Sequence, residues 1–131
     1  MESQMRILIV DDEPDMCWVL ENALRSEGYQ ILGATSGREA LELFREALPN
    51  IALIDLSLPD MTGIQLATLM REMCSDVIIL AISTHLCEEN SAIEREMEFN
   101  GFAGFISKPF DLTEVRLAVK MAVNQLKSPT T

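Results

Sequence analysis

A chain of 131 residues, 48% of them hydrophobic, is long enough to bury one core without disulfide or metal staples and too short for a second folded unit. With 21 acidic against 10 basic side chains its formal charge is -11, which excludes unaided binding of nucleic acid or of an anionic membrane, because phosphate groups are gripped by clustered Lys and Arg. Proteins and cations are the expected partners; no apolar run approaches membrane-spanning length, and Cys17, Cys74 and Cys87 lack metal-ligand spacing, which fits reduced thiols in a cytoplasmic protein.

Short β-branched runs alternate with longer stretches that carry apolar residues every three or four positions, the pattern of a parallel sheet with crossover helices, five of each. The first run, Ile7-Leu8-Ile9-Val10, ends in Asp11-Asp12. Pro14 suits the first turn of a helix, and Met16, Leu20, Ala23 and Leu24 form its inward stripe until Gly28 stops it. Trp18 falls nearly opposite that stripe, on a face with Glu21, Asn22 and Arg25. Tyr29 to Ala34 reads as the second strand. Ser36 and Glu39 have the spacing of a capping box, with Ala40, Leu43, Phe44 and Ala47 as the buried face behind it and Pro49 as the stop.

The third strand ends at Asp55. Pro59-Asp60-Met61-Thr62-Gly63 carries turn chemistry ahead of a helix containing Ile64, Leu66, Ala67 and Met70. Val77 to Ile82 is the expected fourth strand, Glu88 to Phe99 a glutamate-rich fourth helix, and Phe102 to Ile106 the fifth strand. Asp111 with Glu114 opens the last helix, in which Val115, Ala118, Val119, Ala122 and Leu126 face inward. Residues 1–126 thus form one domain, and 127–131 read as a frayed end or the start of a linker.

In such a sheet the reactive crevice lies beyond the carboxyl ends of the strands. Strands one, three, four and five deliver Asp11 and Asp12, Asp55, Ser83 with Thr84, and Lys108 to that edge. Converging carboxylates repel, by roughly 4 kcal/mol for a pair about 4 Å apart at an effective dielectric of about 20, and a small divalent cation is the simplest remedy. The residue types suit phosphoryl transfer: a carboxylate can attack phosphorus, a cation can offset the charge on attacker and phosphoryl oxygens, and a hydroxyl and an ammonium can hold those oxygens.

The blocks Val10-Asp11-Asp12-Glu13, Asp55-Leu56-Ser57-Leu58-Pro59-Asp60-Met61-Thr62-Gly63 and Lys108-Pro109-Phe110 resemble, in order along nearly the whole chain, the signature of the response-regulator receiver family. That resemblance implies a doubly wound, flavodoxin-like α/β fold of strand order 2-1-3-4-5. It implies Asp55 as the phospho-acceptor, Asp12 as a direct Mg²⁺ ligand, Asp11 as a ligand acting largely through water, and the Ser57 backbone carbonyl as a further ligand. Ser83 is implied to bind the phosphoryl group and Lys108 to pair with it, with a cis peptide bond before Pro109. Phe105 is the implied switch residue, turning inward as Ser83 moves and reshaping the surface of the fourth helix, fifth strand and fifth helix. The side chain of Ser57 and His85 stand at positions resembling those that tune hydrolysis, although an exposed loop histidine is the plainer reading of His85.

The resemblance further implies phosphate transfer from a histidine kinase or phosphotransfer protein docked on the first helix, where Trp18 is a candidate contact. It is compatible with an output domain beyond the C-terminus and with a homodimer through the fourth helix, fifth strand and fifth helix. The Asp15-Met16-Cys17-Trp18 stretch is similar to receivers attached to AAA+ enhancer-binding transcription activators. Three features depart from the family pattern or stretch it: Thr84 stands where alanine is common, His85 follows, and the segment from Ser83 to Lys108 is a few residues longer than usual.

The same residues bear on three other functions. A flavodoxin-like cofactor carrier needs a Ser/Thr/Gly-rich phosphate cradle after strand one, where Asp11-Asp12-Glu13 would repel phosphate. A phosphatase with an aspartyl intermediate wants a second acid two residues beyond the nucleophile, and Ser57 stands there. A receiver-like interaction module working without phosphorylation remains the alternative.

Overall fold

Strand β3 (Ile51–Asp55) is buried at each of its five positions, so apolar layers must cover both of its faces. The computed structural model, which describes residues 5–83 and 101–127, supplies those layers. Beside β3 lie β1 (Arg6–Val10), β2 (Gln30–Ala34), β4 (Ile78–Ser83) and β5 (Gly104–Ser107), all parallel, in the order β2-β1-β3-β4-β5. On one face Leu8, Val10, Ala52, Ile54 and Ile79 pack against Ala40 and Phe44 of α2 (Gly37–Ala47) and Leu66, Ala67 and Met70 of α3 (Gly63–Met73). On the other, Ile7, Ile9, Ile51, Leu53 and Ile82 pack against Leu20 and Leu24 of α1 (Pro14–Arg25) and Val115 and Val119 of the C-terminal helix (Leu112–Lys127). Alternate strand residues feed the two cores, the two-residue period of a doubly wound sheet.

The described residues contain four helices. The expected fourth helix, Glu88 to Phe99, lies outside them, as do Thr84, His85 and Cys87.

Several local expectations shift by a residue or two. On α1 the buried positions are Cys17, Leu20, Ala23 and Leu24, with Met16 only half-buried, so the inward stripe begins one residue later than its periodicity suggests. Ser36 Oγ accepts from Glu39 N–H at 3.1 Å, but Glu39 Oε1 accepts from Thr35 N–H at 2.8 Å rather than from Ser36, so the capping box is closed one residue early. Strand β4 runs from Ile78 because Val77 N–H is turned back to Cys74 O. Strand β5 starts at Gly104 rather than Phe102, a few residues after the left-handed turn at Gly101 (φ 84°). On the last helix Asp111 Oδ1 accepts from Thr113 N–H and Glu114 Oε1 from Asp111 N–H, so the two acids cap that end as expected.

Strand register sets the site. Val10 pairs with Ile54, Asp55 with Ile82, and Ser83 with Ser107. The residues at and just beyond those pairs are therefore Asp11, Asp55, Ser83 and Lys108, one row along the carboxyl edge.

Candidate functional site

Asp11 and Asp55 each divide their carboxylate between two tasks. Asp11 Oδ1 accepts from Glu13 N–H at 2.9 Å and Asp55 Oδ1 accepts from Ser57 N–H at 2.9 Å. These bonds are the ordinary work of an aspartate that ends a strand and starts a turn. Both Oδ2 atoms then face one cation: Lys108 Nζ donates to Asp11 Oδ2 at 3.0 Å and to Asp55 Oδ2 at 2.9 Å, with Glu13 Oε1 farther off at 3.7 Å. Turn-forming and the pairing with Lys108 are thus carried by different oxygens of the same side chain.

Asp12 completes the cluster. One carboxylate oxygen from each of Asp11, Asp12 and Asp55 lies within 4.8 Å of the others. Asp11 is fully buried and Asp55 nearly so, while Asp12 is exposed and leaves the cluster open to solvent. Burial pushes Asp11 above the ordinary carboxylate value of 3.8, and the Glu13 N–H and Lys108 offset only part of that rise. Burial also works against the charge on Lys108, but its bonds to Asp55 and Asp11 outweigh it and hold the ammonium above its usual 10.5. Three carboxylates against one ammonium leave an all-oxygen niche with excess negative charge, which fits a hard divalent cation such as Mg²⁺.

The β3–α3 loop is built tightly around this edge. Gly63 N–H donates to Leu56 O at 3.0 Å, and Ser57 bridges Thr62 in antiparallel fashion. A Cβ at Gly63 would lie 2.7 Å from Leu56 Cα and 2.9 Å from Asp55 O, so only glycine lets the two limbs of the loop close. Thr62 Oγ1 accepts from Gln65 N–H and Gln65 Oε1 from Thr62 N–H, both at 3.0 Å, a full capping box that opens α3. Its Thr-x-x-Gln spacing is legible in the sequence, although the turn residues just before it are the louder signal.

Ser83 is buried at the end of β4, and its carbonyl accepts from Lys108 N–H at 2.9 Å, which ties two of the expected site residues by backbone as well as by register. The Lys108-Pro109 peptide bond is cis, as the resemblance implies. Phe105, half-buried on β5 opposite Ala81, packs on the α2–α3 side of the core and lines a cavity of about 360 Å³ with Leu80, Gly104, Ala118, Met121 and Ala122. Trp18 is 66% exposed on α1 and takes no part in the carboxylate cluster. His85 lies outside the described residues.

One neighbour of the site is not among its expected residues. Cys17 Sγ donates to Asp11 O at 3.2 Å, and burial pushes its thiol up to about 11, so it supports the strand end as a neutral thiol.

The response regulator receiver domain family matches residues 7–120 of this chain. The chain belongs to that family. As a receiver it is a phospho-accepting switch and not a metabolic enzyme, and receivers of this kind interact with histidine kinases and phosphotransferases. It is 31% identical over 115 residues to sporulation initiation phosphotransferase F of Bacillus subtilis, covering 88% of this chain and 90% of that one. It is 38% identical over 125 residues to regulatory protein AtoC of Escherichia coli, covering 94% of this chain but only 26% of AtoC. The chain also spans about half the length of other curated regulators it matches, such as the transcriptional regulatory protein PrrA of Mycobacterium bovis, 53% of which is covered. Among solved structures, response regulator protein TrrA of Thermotoga maritima, crystallised in complex with Mg(2+)-BeF, superposes with a TM-score of 0.79 at 27% identity over 91% of this chain and 99% of that one. No helix among the described residues is long and apolar enough to cross a membrane.

Proposed function

We propose that Asp55 accepts the phosphoryl group from a histidine kinase or phosphotransfer protein, with Mg²⁺ held by Asp11, Asp12, Asp55 and the backbone carbonyl of Ser57. The observation that carries this reading is the meeting of Asp55 Oδ2 with Lys108 Nζ, 2.9 Å apart, beside the Asp11–Asp12 pair. A carboxylate oxygen of Asp55 attacks phosphorus, the bond from phosphorus to the donor histidine nitrogen breaks, and the electron pair leaves on that nitrogen. When bound, Mg²⁺ supplies positive charge to the attacking carboxylate and to the phosphoryl oxygens. Lys108 pairs with a phosphoryl oxygen and the Ser83 hydroxyl binds another. The Mg(2+)-BeF complex of TrrA supports the metal, and the three-carboxylate niche fits it.

Phe105 couples Ser83 to the outside, as one of the residues beside a cavity whose far wall is the C-terminal helix. Exposed Leu117 and Met121 on that helix support a homodimer through the fourth helix, β5 and the C-terminal helix. Trp18 and its neighbours on α1 receive the kinase. Ser57, exposed two residues past Asp55, and His85 tune removal of the phosphoryl group by water. Output through an AAA+ enhancer-binding activator, in the cytoplasm, is supported by Asp15-Met16-Cys17-Trp18 and by the match to one part of AtoC.

The test is transfer from a phosphohistidine donor. Label on the wild type that survives mild acid, is lost in alkali, is released by hydroxylamine and is missing from Asp55→Asn supports an acyl phosphate at Asp55. No transfer at all leaves the non-phosphorylated interaction module as the better reading, and label retained by Asp55→Asn puts the phosphoryl group on another residue and overturns Asp55 as the acceptor.

A further inference from the structure

One carboxylate joins the β3–α3 loop to a distant helix. Asp60 Oδ1 accepts from Gly37 N–H and Asp60 Oδ2 from Arg38 N–H, each at 2.9 Å, across 23 and 22 residues of chain. Both donors belong to the first turn of α2, where backbone N–H groups have no partner within the helix. Ser36, the local cap, takes only Glu39 N–H, so Asp60 fills the positions that Ser36 leaves. The positive end of the helix and two charge-assisted hydrogen bonds favour the ionised carboxylate, which the Gly37 and Arg38 bonds hold below its ordinary value.

A second contact closes the same joint. Met61 packs over Gly37 so closely that a Cβ there would sit 2.6 Å from Met61 Cγ and Sδ. The loop is therefore clamped at its base by Ser57–Thr62 and Leu56–Gly63, and at its tip by Asp60 and Met61 against α2. Pro59 and Asp60 are exposed, so at these two residues the bonds to α2 hold the chain, while Leu58 and Met61 on either side pack on the core.

We propose that Asp60 is a positioning residue for the metal site: by gripping the N-terminus of α2 it fixes the loop that presents the Ser57 carbonyl. This rests on the reading of Ser57 as a Mg²⁺ ligand. Releasing the tip lets that carbonyl wander, which weakens cation binding while leaving Asp55, Lys108 and Ser83 as they are.

The experiment is Mg²⁺ titration by calorimetry on the folded full chain, paired with thermal melting. Asp60→Ala should weaken Mg²⁺ binding about fivefold, the equilibrium equivalent of one lost capping interaction. With acetyl phosphate as donor, it should raise the Mg²⁺ concentration for half-maximal labelling by the same factor and leave the rate at saturating Mg²⁺ unchanged. Asp60→Asn, which keeps one good acceptor, should fall between. Ser36→Ala is the control: it removes a cap from the same helix without touching the loop, so it should lower the melting temperature and leave Mg²⁺ affinity alone. The proposal is overturned if Asp60→Ala melts lower yet binds Mg²⁺ like the wild type, or if Ser36→Ala weakens binding equally. A wild-type chain that binds no Mg²⁺ would instead remove the metal reading itself, and this inference with it.

Discussion

Lys108 and Asp55, 53 positions apart in the chain, share a 2.9 Å hydrogen bond, and the same ammonium reaches Asp11 at 3.0 Å. One largely buried cation thus serves two buried carboxylates. Lys108→Met strands both. Without Mg²⁺ the variant should lose roughly 3 kcal/mol of stability, the usual cost of breaking a buried pair from one side. Added Mg²⁺ should restore much of it, because a cation that binds only the folded state stabilises that state. Labelling by a small phosphodonor should fall on the order of 100-fold, as when one preorganised donor to a developing anion is removed. Urea melts with and without Mg²⁺, and labelling rates read by mass, check both; a variant with wild-type labelling would remove Lys108 from the chemistry.

The pH dependence follows from Asp11. Burial raises its folded-state value above 3.8, so between 3.8 and that value the folded chain holds a proton that the unfolded chain releases. This contribution to stability is fully present below 3.8 and is lost as pH rises through the folded value. Metal-free wild type should therefore gain stability relative to Asp11→Asn as pH falls from about 7 to about 4. Denaturant titrations across that range measure the two slopes, and identical slopes would contradict the assignment.

Phe105→Ala should leave labelling of Asp55 within about twofold of wild type while abolishing the phosphorylation-dependent change in output or self-association. The residue is only half-buried, so truncation should cost less than the roughly 3–5 kcal/mol of a fully packed phenylalanine. Light scattering with and without phosphodonor reads association. Equal loss of labelling and of response would mean that Phe105 is a packing residue only.

Trp18→Ala tests docking separately from chemistry. An indole 66% exposed contributes little to the fold, so stability should change by no more than about 0.5 kcal/mol. Transfer from the cognate kinase should slow, and labelling by acetyl phosphate should not. Matched loss in both assays would contradict a docking role.

The parts of this receiver that are legible in sequence are those dictated by burial and by strand ends. Apolar runs such as Ile51 to Ile54 could only be interior strands, and acids closing them had to share an edge, so Asp11, Asp12, Asp55 and Lys108 stand together as expected. Periodicity alone places the stripe of α1 one residue early, because Met16 and Cys17 are both apolar and only packing chooses Cys17. Asp60 reads as a turn former for its own loop. Its actual partners, Gly37 and Arg38, belong to another element, and no local pattern announces a cap that arrives through tertiary contact. The start of β5 shifts by two residues for a related reason: the positive φ at Gly101 delays it, and glycine alone does not declare which sign it takes.

The central claim is that Asp55 carries the phosphoryl group and needs Mg²⁺ to do so. Intact mass after incubation with acetyl phosphate tests it most directly, run on wild type and Asp55→Asn, each with and without Mg²⁺. The account predicts one phosphoryl group on the wild type with Mg²⁺ and unmodified mass in the other three samples. A wild type that never gains that mass, or an Asp55→Asn chain that gains it equally, would contradict the account.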